Sequence, residues 1–305
     1  LYCRRSILIV SIVLATALPV TAVVAQQLAP RAYWPAPKGT RVIGFVYEYS
    51  GGDVLVDPSL PVAGVASSIN AVQVNYTQTI SIAGRSSNLQ FGVPYTWSTT
   101  TGFLEGAPRS RSLAAMGDAR AQLSVNLWGA PSMDAAGFQA LRASPRPIIG
   151  ASVLVQIPTG GYDPDYLINV GANRWAIKPA IGVMIPVRPT WLLELDIGGW
   201  FFSDNDEFLG TTREQSPILS TEVHLVKRIR PGFWVAFDAN FYAGGRSTVG
   251  GEPRGDLYRN SRMGATLTFP FRRRHAIRGS FSFGVVTKSG GDFRNVAIGY
   301  LYIWR

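Results

Sequence analysis

The chain has 305 residues, a formal net charge of +10, 16% charged residues and 32 glycines. So few charges beside 11% aromatics is unlike an ordinary soluble domain. The basic residues are scattered, which argues against a nucleic-acid partner and for anionic lipid or an anionic solute, and the single cysteine, Cys3, excludes a disulfide scaffold.

Residues 1–25 read as a signal peptide. Arg4 and Arg5 supply the positive start, Ile7 to Val20 is apolar and uncharged, and Val23, Val24 and Ala25 are small residues ahead of Gln26 and Gln27. The apolar run is short for a membrane-spanning helix. Cys3 precedes it, the wrong order for a lipoprotein signal. Removing residues 1–25 takes away two arginines and no acid, so +10 becomes about +8. Residues 26–39 are then a periplasmic N-terminal segment, and 40–305 the folded unit.

From there on the signal is period two. Twelve segments alternate apolar and polar residues: 40–49, 69–82, 86–98, 116–128, 147–158, 173–187, 190–202, 216–229, 232–243, 257–271, 275–288 and 293–304. In one, Phe233, Val235, Phe237, Ala239 and Phe241 share a face opposite Trp234, Ala236, Asp238, Asn240 and Tyr242. A soluble sandwich and a membrane barrel both produce such alternation. Mid-strand charges, strands long enough to cross a bilayer when tilted, and short links alternating with long ones favour the membrane. The expected fold is all-β, a single antiparallel transmembrane β-barrel of about 12 strands, with both termini periplasmic in the bacterial outer membrane.

The link at 129–146 breaks the rhythm, because it is long where a tight turn is due. Met133, Phe138 and Leu141 fall near helical spacing, so a short helix beneath the barrel and an irregular loop both remain open. At the C-terminal end, Tyr300, Tyr302 and Trp304 share a face and suit an interfacial aromatic girdle. They also resemble the terminal signal read by the barrel-assembly machinery, although Arg305 follows the last aromatic.

Five motifs carry a family resemblance: RAYWPAPKG at 31–39, GGDVLVDP at 51–58, PTGGYD at 158–163 with NVGANRW at 169–175, WVAFD at 234–238 and GGR at 244–246. Taken in order, they resemble the outer-membrane barrel family named for the meta-pathway of phenol degradation. The resemblance implies an outer-membrane channel for passive uptake of small molecules, aromatic or hydrophobic ones above all. A general porin or anion channel, and a plugged structural barrel without transport, are the alternatives; a soluble β-protein is the fallback.

The lumen candidates are Glu194, Asp196, Glu222, His224, Trp234, Asp238, Tyr242, Arg262 and Arg278, all on expected inward faces. Acids on one wall and arginines on the next would set a field across a pore; the same residues could instead fill it with ion pairs. Trp234 and Tyr242 would offer rings for stacking. In the outer loop, Pro158, Gly160, Tyr162, Asp163, Asn169 and Arg174 are constriction candidates or plain turn residues. Gly160 and Gly161 lack the following Lys-Ser or Lys-Thr of a phosphate loop. Ser220 shares a face with His224, but four residues along a strand separate them by about 13 Å. No nucleophile-elbow motif is present, so no enzyme is expected. Two histidines and one cysteine point to no transition-metal site. Asp204, Asp206 and Glu207 read as a solvated acidic loop or a calcium site. The expected partners are outer-membrane lipid and lipopolysaccharide, the assembly machinery and a small-molecule solute, with no cofactor and no nucleic acid.

Overall fold

The computed structural model describes residues 30–56 and 62–305; the signal-peptide reading of 1–25 lies outside the described residues. Among the described residues seventeen strands and one helix follow one another. Twelve strands close a barrel: β1 (Arg41–Leu55), β2 (Val62–Ile82), β3 (Arg85–Leu104), β5 (Ala119–Trp128), β6 (Ile148–Ile157), β7 (Ala176–Arg188), β8 (Trp191–Phe202), β11 (Ile218–Arg230), β12 (Phe233–Gly244), β15 (Tyr258–Arg272), β16 (His275–Val286) and β17 (Gly290–Trp304). Neighbours pair antiparallel, and β17 returns to β1 in register from Leu55↔Gly290 to Arg41↔Trp304. Closure leaves no free edge in the wall, the condition for crossing lipid with strands. Each of the twelve expected segments falls on one of these strands.

The barrel is inside out compared with a soluble protein. Phe45, Tyr95, Ile197, Phe237 and Ile298 are exposed on its outer face, whereas Ser124, Glu222, Asp238, Asn240 and Thr266 are buried within. Ten residues of strand span roughly 33 Å, enough to cross hydrocarbon at the tilt of a barrel. Alternation alone sets which residue faces which way.

The two ends differ. At the turn end, links such as Ala83–Gly84 and Pro189–Thr190 are tight. At the loop end, β2 and β3 rise above the rim, and β4 (Ala107–Met116) folds back along β3 from Leu104↔Ala107 to Tyr95↔Met116. After Gly117 and Asp118 the chain re-enters the wall as β5. Four short strands, β9 (Asn205–Phe208), β10 (Thr211–Gln215), β13 (Ser247–Val249) and β14 (Glu252–Pro253), form a second small sheet over the loop end.

The long link at the turn end contains helix α1 (Ala135–Ala143). Asp134 caps it, accepting from the Gly137 amide at 2.8 Å. Leu141 is buried, and Phe138 lies edge-on to Trp34 with ring centroids 6.5 Å apart. Of the two readings left open by sequence, the helix forms, because its apolar residues find an aromatic surface inside the barrel mouth.

Candidate functional site: an occluded lumen

Residues 30–39, read from sequence as a segment ahead of the barrel, enter its turn end. Tyr33 and Trp34 are 5% and 7% exposed and belong to a core with Leu141, Ile148, Met184, Leu192, Val226 and Trp234. The segment is tied to the link by Lys38 N donating to Met133 O at 2.8 Å, and to β2 by Gly39 N donating to Thr79 O at 2.9 Å.

Tyr33 sits where it does because the wall is hollowed for it. Gly150 on β6 and Gly182 on β7 pair directly across the sheet. A Cβ built on Gly150 would lie 2.1 Å from the Tyr33 ring, and one on Gly182 would lie 2.3 Å from it. Two missing side chains thus make a slot one ring deep. The hydroxyl then donates to Asp196 Oδ2 at 2.8 Å and lies 3.3 Å from Ser152 Oγ. Burial, followed by the Asp196 charge, pushes the Tyr33 phenol up from its ordinary value.

Arg31 completes the plug. Its amide donates to Glu194 Oε2 at 2.5 Å. Its guanidinium lies 5.1 Å from the Trp34 ring and 5.1 Å from the Trp234 ring. Arg228 covers Trp34 at 5.2 Å, and Arg278 covers Trp234 at 5.8 Å. Cations and indole rings therefore alternate through the mouth; each desolvated contact contributes about 0.5–2 kcal/mol. Burial lowers the Arg31 guanidinium to about 10, partly opposed by Glu194.

Above the plug lies a cavity of about 450 Å³, within the range of small-molecule sites. One wall, from β7, β8 and β11, presents Lys178, Asp196, Glu222 and His224. These groups are already paired. Lys178 Nζ is 2.6 Å from Glu222 Oε1 and 4.0 Å from Asp196 Oδ1, and His224 Nε2 is 3.6 Å from Glu222 Oε2. Behind them His224 Nδ1 is 2.7 Å from Asp238 Oδ1, and Thr266 donates to Asp238 Oδ2 at 2.7 Å. The opposite wall, from β1, β2, β3 and β5, presents Gln73, Asn75, Thr77, Gln90 and Gln122 around Gly44 and Gly92, with Glu48 and Arg120 beside them. Amides both donate and accept, so this wall can meet a hydroxyl or a carbonyl by turning a side chain.

Of the lumen residues expected from sequence, Glu194, Asp196, Glu222, His224 and Arg278 line the cavity. Asp238, Trp234, Tyr242 and Arg262 also sit inside, each 7% exposed or less, but embedded in packing behind it. Arg262 donates to Ser282, to the Phe293 carbonyl and to Asn295. Tyr242 packs with Trp200 and Tyr258. The ring nitrogens of His224 face two carboxylates, the arrangement of a structural relay.

The loop candidates gather at the opposite end. Gly160 donates to Asp118 Oδ1 at 2.9 Å, and Ala172 donates to Asp118 Oδ2 at 3.0 Å. Asn169 holds Asp163 through its amide and accepts from it, closing the turn that Pro158 begins. Tyr162 accepts from Asn205, and Arg174 lies 4.4 Å over the Phe202 ring and donates to Gln215. None of these six lines the cavity. Tyr300 and Tyr302 pack against His275 near the turn end of the wall, and Tyr302 stacks on Trp304 with ring centroids 5.6 Å apart. Among the described residues no group of acidic, histidine or cysteine side chains could hold a metal ion, Asp204, Asp206 and Glu207 included.

Two residues the sequence reading passed over are Tyr33 and Asp118. Asp118 follows a glycine in a strand pattern, and a glycine in a strand is a bulge signal. Tyr33 carried no local signal beyond its place in the first family motif.

No curated protein matches the sequence. Among solved structures, an outer membrane channel from Pseudomonas putida F1 superposes with a TM-score of 0.77 at 18% identity, covering 91% of this chain and 100% of that one. The transport unit of the autotransporter AIDA-I from Escherichia coli superposes at 0.51 and 8% identity, covering 91% and 93%. Both likenesses establish the barrel fold. Residues 48–298 match the family described as "Putative MetA-pathway of phenol degradation". The match takes in four of the five motifs and most of the wall, and the chain belongs to that family.

Proposed function

We propose that the protein is an outer-membrane channel for passive entry of small molecules, with phenol-like aromatic compounds as the preferred class. The observation that carries this is the cavity of about 450 Å³ inside an inverted barrel, with mostly amides and hydroxyls on one wall and paired charges on the other. A small aromatic ring bearing one hydroxyl or carboxyl group fits such a chamber. The phenol-degradation family and the channel from Pseudomonas putida F1 support the class of activity. In this reading the turn end faces the periplasm, the assembly machinery reads Tyr300, Tyr302 and Trp304, and lipopolysaccharide meets the loop end. The protein acts as a conduit without catalysis.

The test is solute entry into liposomes carrying the refolded protein. Phenol and an aromatic acid are compared with a sugar and a simple salt. Faster aromatic entry supports the proposal, and equal entry of all four solutes makes it a general porin.

A second reading rests on the plug. If the Tyr33 and Arg31 contacts hold permanently, the protein is a structural barrel. Absence of flux in both the wild type and a plug-releasing variant, each shown to be folded, establishes that reading.

A further inference from the structure

Six seams ring the turn end: the links β2–β3, β5–β6, β7–β8, β11–β12 and β15–β16, and the paired ends of β1 and β17. Every one carries an exposed arginine: Arg85, Arg146, Arg188, Arg230, Arg272 with its two neighbours, and Arg305. The only acidic side chain in these stretches is Asp134, already engaged as the helix cap. None of these arginines forms a salt bridge with a described residue. The loop end is mixed instead: Glu105, Asp163, Asp206 and Glu252 stand there among Arg109, Arg246, Arg254 and Arg259.

The collar sits where the outer apolar face stops. Val187, Ile229 and Phe271 are exposed beside Arg188, Arg230 and Arg272. Arg230 lies 5.3 Å over the Phe269 ring and Lys227 lies 4.8 Å over Trp191. Long cationic side chains with apolar stems along the wall place their charge at headgroup level. A protein partner covers one side of a barrel, whereas headgroups surround it. A charge distributed over all six seams matches the second geometry.

We propose that this arginine collar binds the phosphate-bearing headgroups of anionic phospholipid in the leaflet at the turn end, keeping a shell of that lipid around the barrel. The inference rests on the reading of the protein as a membrane barrel, and it is independent of whether solutes pass.

The test is lipid retention. The refolded protein is extracted from vesicles of equal phosphatidylcholine and phosphatidylglycerol, and bound lipid is measured by native mass spectrometry. The wild type is expected to retain phosphatidylglycerol over phosphatidylcholine by about fivefold or more, falling as salt shortens the screening length. Arg85, Arg146, Arg188, Arg230, Arg272 with its two neighbours, and Arg305, all changed to Gln, together abolish the preference, while Arg109 and Arg246→Gln at the loop end leave it unchanged. Single-seam variants, each shown to be folded by its heat-shifted mobility, lose it in fractions. Equal retention of the two lipids by the folded wild type overturns the proposal. So does complete loss from one seam alone, which marks a local contact such as an acidic protein. Because flux is not the readout, a closed barrel and a missing collar give different results.

Discussion

The two walls of the cavity follow one rule of alternation and reach opposite outcomes. On β1, β2, β3 and β5 the inward positions that line the cavity are mostly amides, hydroxyls and glycines, with Glu48 and Arg120 the charged exceptions; Glu48 accepts from Asn295 and Arg120 donates to Gln156. On β7, β8, β11 and β12 the inward positions hold Lys178, Asp196, Glu222, His224 and Asp238, and these satisfy one another or hold the plug. A buried charge must find a counter-charge, because the cost of leaving it bare exceeds the gain of any single contact. A neutral amide costs far less to leave facing a wet cavity. The clustered charges of β7, β8, β11 and β12 are therefore structural and latching, and under the proposed channel function the amides of the other wall are the groups that would meet a solute.

That contrast can be broken at its strongest point. Asp238→Ala leaves the His224 ring and the Thr266 hydroxyl without their partner inside the wall. Removing one member of such a pair costs about 3–5 kcal/mol, so the midpoint of urea unfolding, followed by heat-shifted mobility, drops steeply. A midpoint within error of wild type would mean that the charged wall is not held by its pairs.

Next comes the glycine slot. Gly150→Val suits a strand but drives a side chain into the Tyr33 ring. Overpacking costs about 1–3 kcal/mol, comparable with a hydrogen bond to a charged group at about 1.5–3 kcal/mol. The ring leaves its slot, and single-channel conductance in planar bilayers rises. Unchanged conductance would place the barrier elsewhere, above the plug.

Tyr33→Phe is milder, because the ring still fills the slot and only the bond to Asp196 goes. A loss of about 1.5 kcal/mol in seating the plug is expected, read as faster protease cleavage near residues 30–39 with little change in barrel stability. The smallest effect on stability comes from the amide wall. Gln122→Leu is expected to change the unfolding free energy by no more than about 0.5 kcal/mol, yet to alter the ratio of aromatic to sugar entry. If that ratio stays fixed while Asp196→Asn changes it, the solute is read by the charged wall instead.

Much of this was legible in sequence. The twelve strands and their lipid faces are local properties: Phe237 and Phe241 alternate with Asp238 and Asn240 whatever the rest of the chain does. The helix cap was less legible, since Asp134 reads as a cap only once Met133 and Phe138 have an aromatic surface to meet. Arg262 and Arg278 show the limit clearly. Both are inward arginines on neighbouring strands, yet one is locked by Ser282, Phe293 and Asn295 while the other faces the cavity over Trp234. Nothing adjacent to either distinguishes them.

By itself, then, the sequence determined the kind of barrel, the number of strands and the polarity of each face, because period two is written in consecutive residues. The tertiary structure alone decided that residues 30–39 fill the mouth, that Gly150 and Gly182 make one slot, and that Asp196 meets Tyr33 across 163 positions of chain. Those contacts exist only when the sheet closes in one register, and closure is a property of all twelve strands together.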